Sequence, residues 1–169
     1  VRKEGQAQFE SALEQFKTTV DFDGGGLEKA YNLFNDEYEE SEEAANAISE
    51  HISAVESVAD ALFEEWSDEL DLYTSPSLRR ASERQYKSTQ KKYQRLLASM
   101  RRVEESMQPV LATMRDNVLF RKHNLNARAI DTLKGELGSI NRDVSKLVKN
   151  MQRSIAEAEA FITTLKADG

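Results

Sequence analysis

Residues that cross-link or interrupt a chain are scarce in this sequence of 169 residues. It has no cysteine, which excludes disulfides, thiolate metal sites and a cysteine nucleophile. Only two prolines and seven glycines occur, and three of the glycines are consecutive, at Gly24, Gly25 and Gly26. Because so little would break a helix elsewhere, the sequence predicts long helices.

Histidine is also rare, which limits the chemistry that the chain can perform. A di-metal four-helix bundle needs two Glu-x-x-His motifs, but Ile48 and Phe120 precede His51 and His123 by three residues. Neither histidine belongs to a catalytic motif, and there is no Gly-x-x-x-x-Gly-Lys phosphate loop. We therefore predict that the protein is not an enzyme, and we expect no cofactor and no metal.

Long apolar runs and excess positive charge are absent too. No run of 18 apolar residues occurs, so the sequence predicts no membrane-spanning helix. The net charge of −7 argues against a general nucleic-acid binder, and we expect no nucleic-acid partner. Because the chain starts at Val1 and not at Met, we expect further residues upstream, with a targeting segment among them.

What the sequence does contain is a hydrophobic repeat of 3.5 residues. Between Leu27 and Tyr73, steps of four and three residues meet apolar or aromatic side chains at twelve of fourteen positions. The same spacing recurs in 130–165, and less regularly between Tyr86 and Val118. A short stripe also follows Phe9. Such a period is typical of helices that pack as coiled coils.

The few interruptions divide the chain into four helices. The three consecutive glycines end the first, Ser75 and Pro76 form a cap and first turn for the third, and Asn126 caps the fourth. We predict a single all-α domain over 1–169, with helices at about 3–20, 27–73, 76–123 and 127–167. The expected fold is a long antiparallel three-helix, coiled-coil-like bundle, with the short first helix as a fourth at one end. Pro109 should bend the third helix without ending it.

The charge changes sign between the second and third helices. Residues 27–75 hold one basic and fifteen acidic residues, whereas residues 76–125 hold twelve basic and four acidic ones. A short turn makes two such helices antiparallel neighbours. We therefore predict that the acids and bases beside the seam oppose each other, with Asp60, Glu64, Glu65 and Asp68 facing Arg84, Lys87, Lys91 and Lys92.

Three charged clusters are candidate interaction surfaces. The basic stripe consists of residues spaced three or four apart on the third helix: Arg80, Arg84, Lys87, Lys91 and Arg95. The basic tip consists of Arg121, Lys122, His123 and Arg128, and the acidic patch of Asp36, Glu37, Glu39, Glu40, Glu42 and Glu43. Pairing within the hairpin, membrane-surface binding and nucleic-acid binding are the alternatives for the stripe. The patch is either a solvated surface or a site for a basic partner or divalent cation.

Three stretches of the chain resemble a known family. They are Phe9 to Phe22 leading into DGGGLEKAYNLFNDEYEESEEAA, then ALFEEWSDELDLYTSPSLRR, and finally MQPVLATMRDNVLFRKHNLNARAI followed by LKGELGSI. The resemblance is to an uncharacterised proteobacterial domain of unknown function, whose members look like exported, lipoprotein-type helical proteins. It implies a precursor with a signal segment and a lipobox cysteine upstream of Val1, and it supplies no catalytic residues.

The expected function is that of a non-enzymatic scaffold or protein-interaction module of the bacterial cell envelope. We expect a periplasmic location, tethered to the membrane through residues upstream of Val1, with a cytoplasmic location as the alternative. A membrane-surface or membrane-shaping protein and a helical ligand-binding domain are the other two functions that the sequence leaves open. The protein partner and the oligomeric state are not fixed by the sequence, although an anionic membrane surface is one candidate partner.

Overall fold

The computed structural model of the protein describes residues 3–20, 27–123 and 127–168. These residues form four helices and no strand: α1 (Lys3–Val20), α2 (Leu27–Leu70), α3 (Pro76–His123) and α4 (Ala127–Asp168). The predicted all-α fold is confirmed. None of the described helices is both long and apolar enough to cross a lipid bilayer.

The turn between α2 and α3 forms as its local sequence predicts, with α2 ending slightly earlier. The amides of Asp71 and Leu72 bond to carbonyls three residues back, at 3.3 and 3.0 Å, which tightens and ends the helix. The Oγ of Ser75 accepts a hydrogen bond from the amide of Leu78 at 3.4 Å, and α3 begins at Pro76. The predicted cap is therefore present.

Each helix packs against two neighbours, so that the four helices form the corners of a square. α1 contacts α2 and α4, and α3 contacts the same two helices from the other side. Among the described residues, neither diagonal pair, α1 with α3 or α2 with α4, has Cα atoms within 8 Å of each other. The square leaves α1 as the element that separates α2 from α4.

The apolar seams predicted from the sequence meet along the centre of this square. The side chains that are almost completely shielded from solvent come from all four helices and include Phe9, Phe34, Ile52, Val103, Met107, Met114, Ile140, Leu147 and Met151. Full burial of one such side chain contributes about 1.5–3 kcal/mol. This shared core, rather than any one helix by itself, provides the stability of the bundle.

The number of helices around the core changes along its length. Gly5, near the start of α1, lies against Ile48 of α2 and Met151 of α4, and a Cβ atom at Gly5 would be 2.7 Å from the Cδ1 of Ile48. The missing side chain therefore permits a close approach of α1 to α2. Beyond this level, towards the turn at 71–75, the described bundle contains only α2, α3 and α4, as the sequence analysis predicts.

A separate aromatic cluster fills the hairpin near the turn. It contains Phe63 and Trp66 of α2 and Tyr86 and Tyr93 of α3. The ring centroids lie 5.7 Å apart for Phe63 and Tyr86, and 5.5 Å apart for Trp66 and Tyr86, both in edge-to-face geometry. The indole Nε1 of Trp66 also donates a hydrogen bond of 2.9 Å to the Oγ of Ser82. These contacts confirm the antiparallel α2–α3 hairpin.

Helix α3 continues through Pro109, as the sequence predicts. Met107 and Val110 on either side of the proline are almost completely buried, so the core seam is not interrupted. A proline at this position still removes one helical hydrogen bond and crowds the carbonyl of the residue four positions earlier. The helix therefore carries a local defect that core packing outweighs.

We expect replacement of this proline to stabilise the bundle. Pro109→Ala restores the missing amide and should raise the free energy of unfolding by about 1–3 kcal/mol, measured by urea denaturation. The neighbouring exposed Gln108 provides the control, since Gln108→Ala should change stability by less than about 0.5 kcal/mol. An unchanged or lower stability of Pro109→Ala would show that the helix carries no strain at this position.

Candidate interaction surfaces

Near the turn, α2 and α3 are joined mainly by aromatic and small side chains. The residues of α3 that meet α2 near the turn are Ser82, Tyr86 and Tyr93. Successive helical residues are rotated by about 100°, so Arg84, two positions before Tyr86, points away from α2, and Lys87, one position after Tyr86, points to the side. The basic residues therefore lie on the outer side of α3.

The predicted charge pairing across the hairpin is wrong for this reason. In the part of the chain that the structure describes, no ion pair links Asp60, Glu64, Glu65 or Asp68 to Arg84, Lys87, Lys91 or Lys92. The described pairs between the two sides of the hairpin are Arg79 with Asp71, at 3.0 Å in the turn, and Arg101 with Glu56. Most of the opposite charges thus remain available at the surface.

The basic stripe is consequently an exposed cationic surface. All five of its side chains are exposed: Arg80, Arg84, Lys87, Lys91 and Arg95. Lys87 has an ion pair of 3.5 Å with Glu83 on its own helix, and the described structure gives the other four none. Between Arg80 and Arg95 the stripe extends about 22 Å along α3, which is the length of an extended peptide of six or seven residues.

The acidic patch is divided between solvent and the contact with α1. Asp36, Glu39, Glu40, Glu42 and Glu43 are exposed. Glu37 is half-buried and accepts hydrogen bonds from Gln8 at 3.1 Å and from Ser11 at 3.3 Å. Its carboxylate therefore holds α1 on α2 rather than facing a partner.

The patch also shows how its charge acts on a neighbour. The hydroxyl of Tyr38 donates a hydrogen bond of 2.7 Å to Glu42. Burial raises the pKa of Tyr38, and the hydrogen bond and charge of Glu42 raise it further. The described residues contain no group of three or more histidine, aspartate and glutamate side chains placed to hold a metal ion.

The basic tip differs from the sequence prediction, because Arg121 lies in the interior. Its side chain is only 1% exposed, and its guanidinium lies 4.4 Å from the centroid of the Phe34 ring. Burial lowers the pKa of Arg121 to about 10. Lys122 and His123 are exposed, whereas the side chain of Arg128 lies outside the described residues.

The helical period of α3 contains the signal that Arg121 is buried. Met114, Asn117 and Arg121 follow each other at spacings of three and four, and all three are buried. Arg121 thus continues the core seam of α3 into a layer where an aromatic ring covers the cation. It is a structural residue and not part of an interaction surface.

An open groove between α1 and α2 was not predicted from the sequence. It encloses about 660 Å³ and is lined by small and apolar residues that include Gly5, Ala44, Ala47 and Ile48. Three carboxylates also line it, those of Glu4, Glu40 and Glu50. The shortage of bulky side chains on this face of α2 would have been its sequence signal.

Comparison with known proteins places the chain in a family. The model of the family "Protein of unknown function (DUF2959)" matches residues 1–165. The chain belongs to that family. Searches of curated proteins and of solved structures found no match. The prediction that the chain belongs to a family of unknown function is confirmed.

Arg121 offers a test of its structural role. Arg121→Ala should lower the free energy of unfolding by about 2–4 kcal/mol, because it leaves a cavity beside Phe34. Arg121→Met fills most of that volume without a buried charge and should lower it by less than half as much. Urea denaturation at neutral pH measures both variants.

The exposed neighbour Lys122 provides the control for that comparison. Lys122→Ala should change stability by less than about 0.5 kcal/mol. If Arg121→Met is as unstable as Arg121→Ala, the charge of the guanidinium, and not its packing against Phe34, is what the core requires.

Proposed function

We propose that this protein is a non-enzymatic scaffold or interaction module of the cell envelope, which binds an acidic protein partner through the basic stripe. The observation that carries the proposal is the exposure of all five stripe residues. None of them makes an ion pair with α2 in the described structure. A cationic row of this length on a rigid helix attracts and orients an anionic surface.

The surroundings of the stripe strengthen this proposal. In the described structure no acidic residue of α2 has an ion pair with a stripe residue, so α2 does not neutralise the stripe at short range. A partner with carboxylates spaced along a helix or an extended segment would replace the water and counterions that now surround the five cations. Such contacts mainly increase the rate of association and the choice of partner.

The resemblance of the sequence to exported, lipoprotein-like proteins supports the cell-envelope location. Under this proposal the bundle lies in the periplasm and is tethered through residues upstream of Val1. A tether raises the effective concentration of the stripe near partners in or beside the membrane.

A membrane surface is the second candidate for the stripe. The turn next to it exposes apolar side chains, with Leu72 77% and Leu78 60% accessible to solvent. Apolar residues beside a row of Lys and Arg are typical of segments that lie on anionic bilayers. Membrane binding would therefore use the same stripe together with this turn.

Charge reversal within the stripe tests the proposal. Arg84→Glu/Lys91→Glu should reduce capture of a partner from envelope extracts at least about tenfold, because two attractions become repulsions. Quantitative mass spectrometry after crosslinking measures the capture, and raising the salt concentration should weaken it in parallel.

A matched double variant separates the stripe from net charge. Lys146 and Arg153 on α4 are exposed and, like Arg84 and Lys91, seven residues apart, so Lys146→Glu/Arg153→Glu changes the net charge equally. This variant should retain capture. Equal loss in both double variants would contradict the proposal. Co-sedimentation with phosphatidylserine vesicles that only the stripe variant loses, without a captured protein, would establish the membrane candidate instead.

A further inference from the structure

A polar groove lies between α3 and α4 at the level of Pro109. It encloses about 290 Å³, and both helices line it. Ser106 and Pro109 belong to α3, whereas Lys146 and Asn150 belong to α4. All four residues lie inside the described helices rather than at their ends, so two packed helices, and not an end of the chain, form the walls of the groove.

Two hydrogen bonds connect the helices within this groove. The side-chain amide of Asn150 donates a hydrogen bond to the Oγ of Ser106, and this Oγ in turn donates one of 2.7 Å to the carbonyl of Arg102. Ser106 is only 7% exposed. These contacts tie α4 to α3 at the groove, and they hold its polar groups in fixed positions.

Four charged side chains surround the groove, two of each sign. They are Arg102 and Glu105 on α3 and Asp143 and Lys146 on α4. Among the described residues, no ion pair involves any of the four. Arg102, Glu105 and Lys146 are exposed, and Asp143 is half-buried. Opposite charges that border one groove without neutralising each other remain available to a ligand that carries both signs.

Pro109 adds a backbone acceptor to these charges. Because proline has no amide hydrogen, the carbonyl of Glu105, four residues earlier, lacks its usual helical hydrogen bond. Pro109 and Glu105 both line the groove, so this carbonyl lies beside the same space. An ammonium group has three hydrogens to donate, and it can therefore use the carbonyl together with a neighbouring carboxylate. The helix defect, which costs stability, thus has a use at this place.

We propose that the groove binds a small zwitterion, a molecule with one ammonium and one carboxylate group, such as a free amino acid. The ammonium would lie at the carboxylates of Glu105 and Asp143, and the carboxylate at Arg102 and Lys146. A ligand with a single charge would leave two of the four groove charges without a partner. Ligand pockets usually enclose about 300–1,000 Å³, so a groove of about 290 Å³ suits a ligand of amino-acid size.

The probe for this site is 4-aminobutyrate, which carries the two charges and no further functional group. A titration followed by ¹H–¹⁵N NMR should show saturable shifts at the backbone amides of 102–108 and 143–150, with a Kd of about 0.1–5 mM. Butylamine and butyrate each keep one of the two charges. Each should bind at least about fivefold more weakly than 4-aminobutyrate.

A charge-balanced double variant tests the side chains of the groove. Glu105→Gln/Lys146→Gln removes one charge of each sign, so the net charge of the chain does not change. It should weaken binding of 4-aminobutyrate at least about tenfold. Arg115→Gln/Asp116→Asn is the matched control, because both residues are exposed on α3 outside the groove. It should bind the probe as the unmodified chain does.

Pro109→Ala tests the backbone acceptor separately from the charges. The restored amide would bond to the carbonyl of Glu105, so this variant should bind 4-aminobutyrate at least about threefold more weakly. Its weak binding of butyrate, which has no ammonium group, should not change. Loss of folding cannot explain such a result, because the same variant is expected to be more stable than the unmodified chain in urea.

The results decide whether the groove is a zwitterion site. Weaker binding in the two groove variants, with the control unchanged, supports the proposal. It is overturned if Glu105→Gln/Lys146→Gln binds 4-aminobutyrate normally, if Pro109→Ala does, or if butylamine or butyrate binds as well as the zwitterion.

The zwitterion site goes beyond the proposed function, and the two can fail separately. The stripe variant Arg84→Glu/Lys91→Glu should bind 4-aminobutyrate normally, although it should lose capture of the protein partner. Conversely, Lys146→Glu/Arg153→Glu should retain that capture but lose binding of 4-aminobutyrate, because it reverses a charge of the groove. Loss of zwitterion binding in the stripe variant would overturn the assignment to the groove.

Discussion

Burial of the 3.5-residue apolar seam is the interaction on which the rest of this structure depends. Helices of more than forty residues expose long hydrophobic rows, and these rows are satisfied only where several helices share them. Full burial of a side chain such as Ile52 or Leu147 contributes about 1.5–3 kcal/mol, whereas an exposed ion pair contributes about 0–1 kcal/mol. The seam therefore sets the rotation of each helix about its own axis. The charged residues lie on the helix faces that do not contact the core.

The larger free energy of apolar burial explains which predictions from the sequence were right. The four helices and the turn at 71–75 follow from local signals, namely periodicity, the cap at Ser75 and the proline after it. Core positions such as Val103 and Met107 follow from the same period, because a residue's place in the repeat decides whether it faces the partners. Such features require no knowledge of how the helices are arranged around the core.

The ion pairs and the site could not be predicted in the same way. Opposite net charge on α2 and α3 is compatible with many rotations of the two helices, and the aromatic cluster of Phe63, Trp66 and Tyr86 selects one that turns the bases outward. The residue type of Arg121 predicts a surface position, but its place in the helical period belongs to the core seam. The groove between α1 and α2 depends on the place of α1 beside α2, which no pattern within a single helix contains.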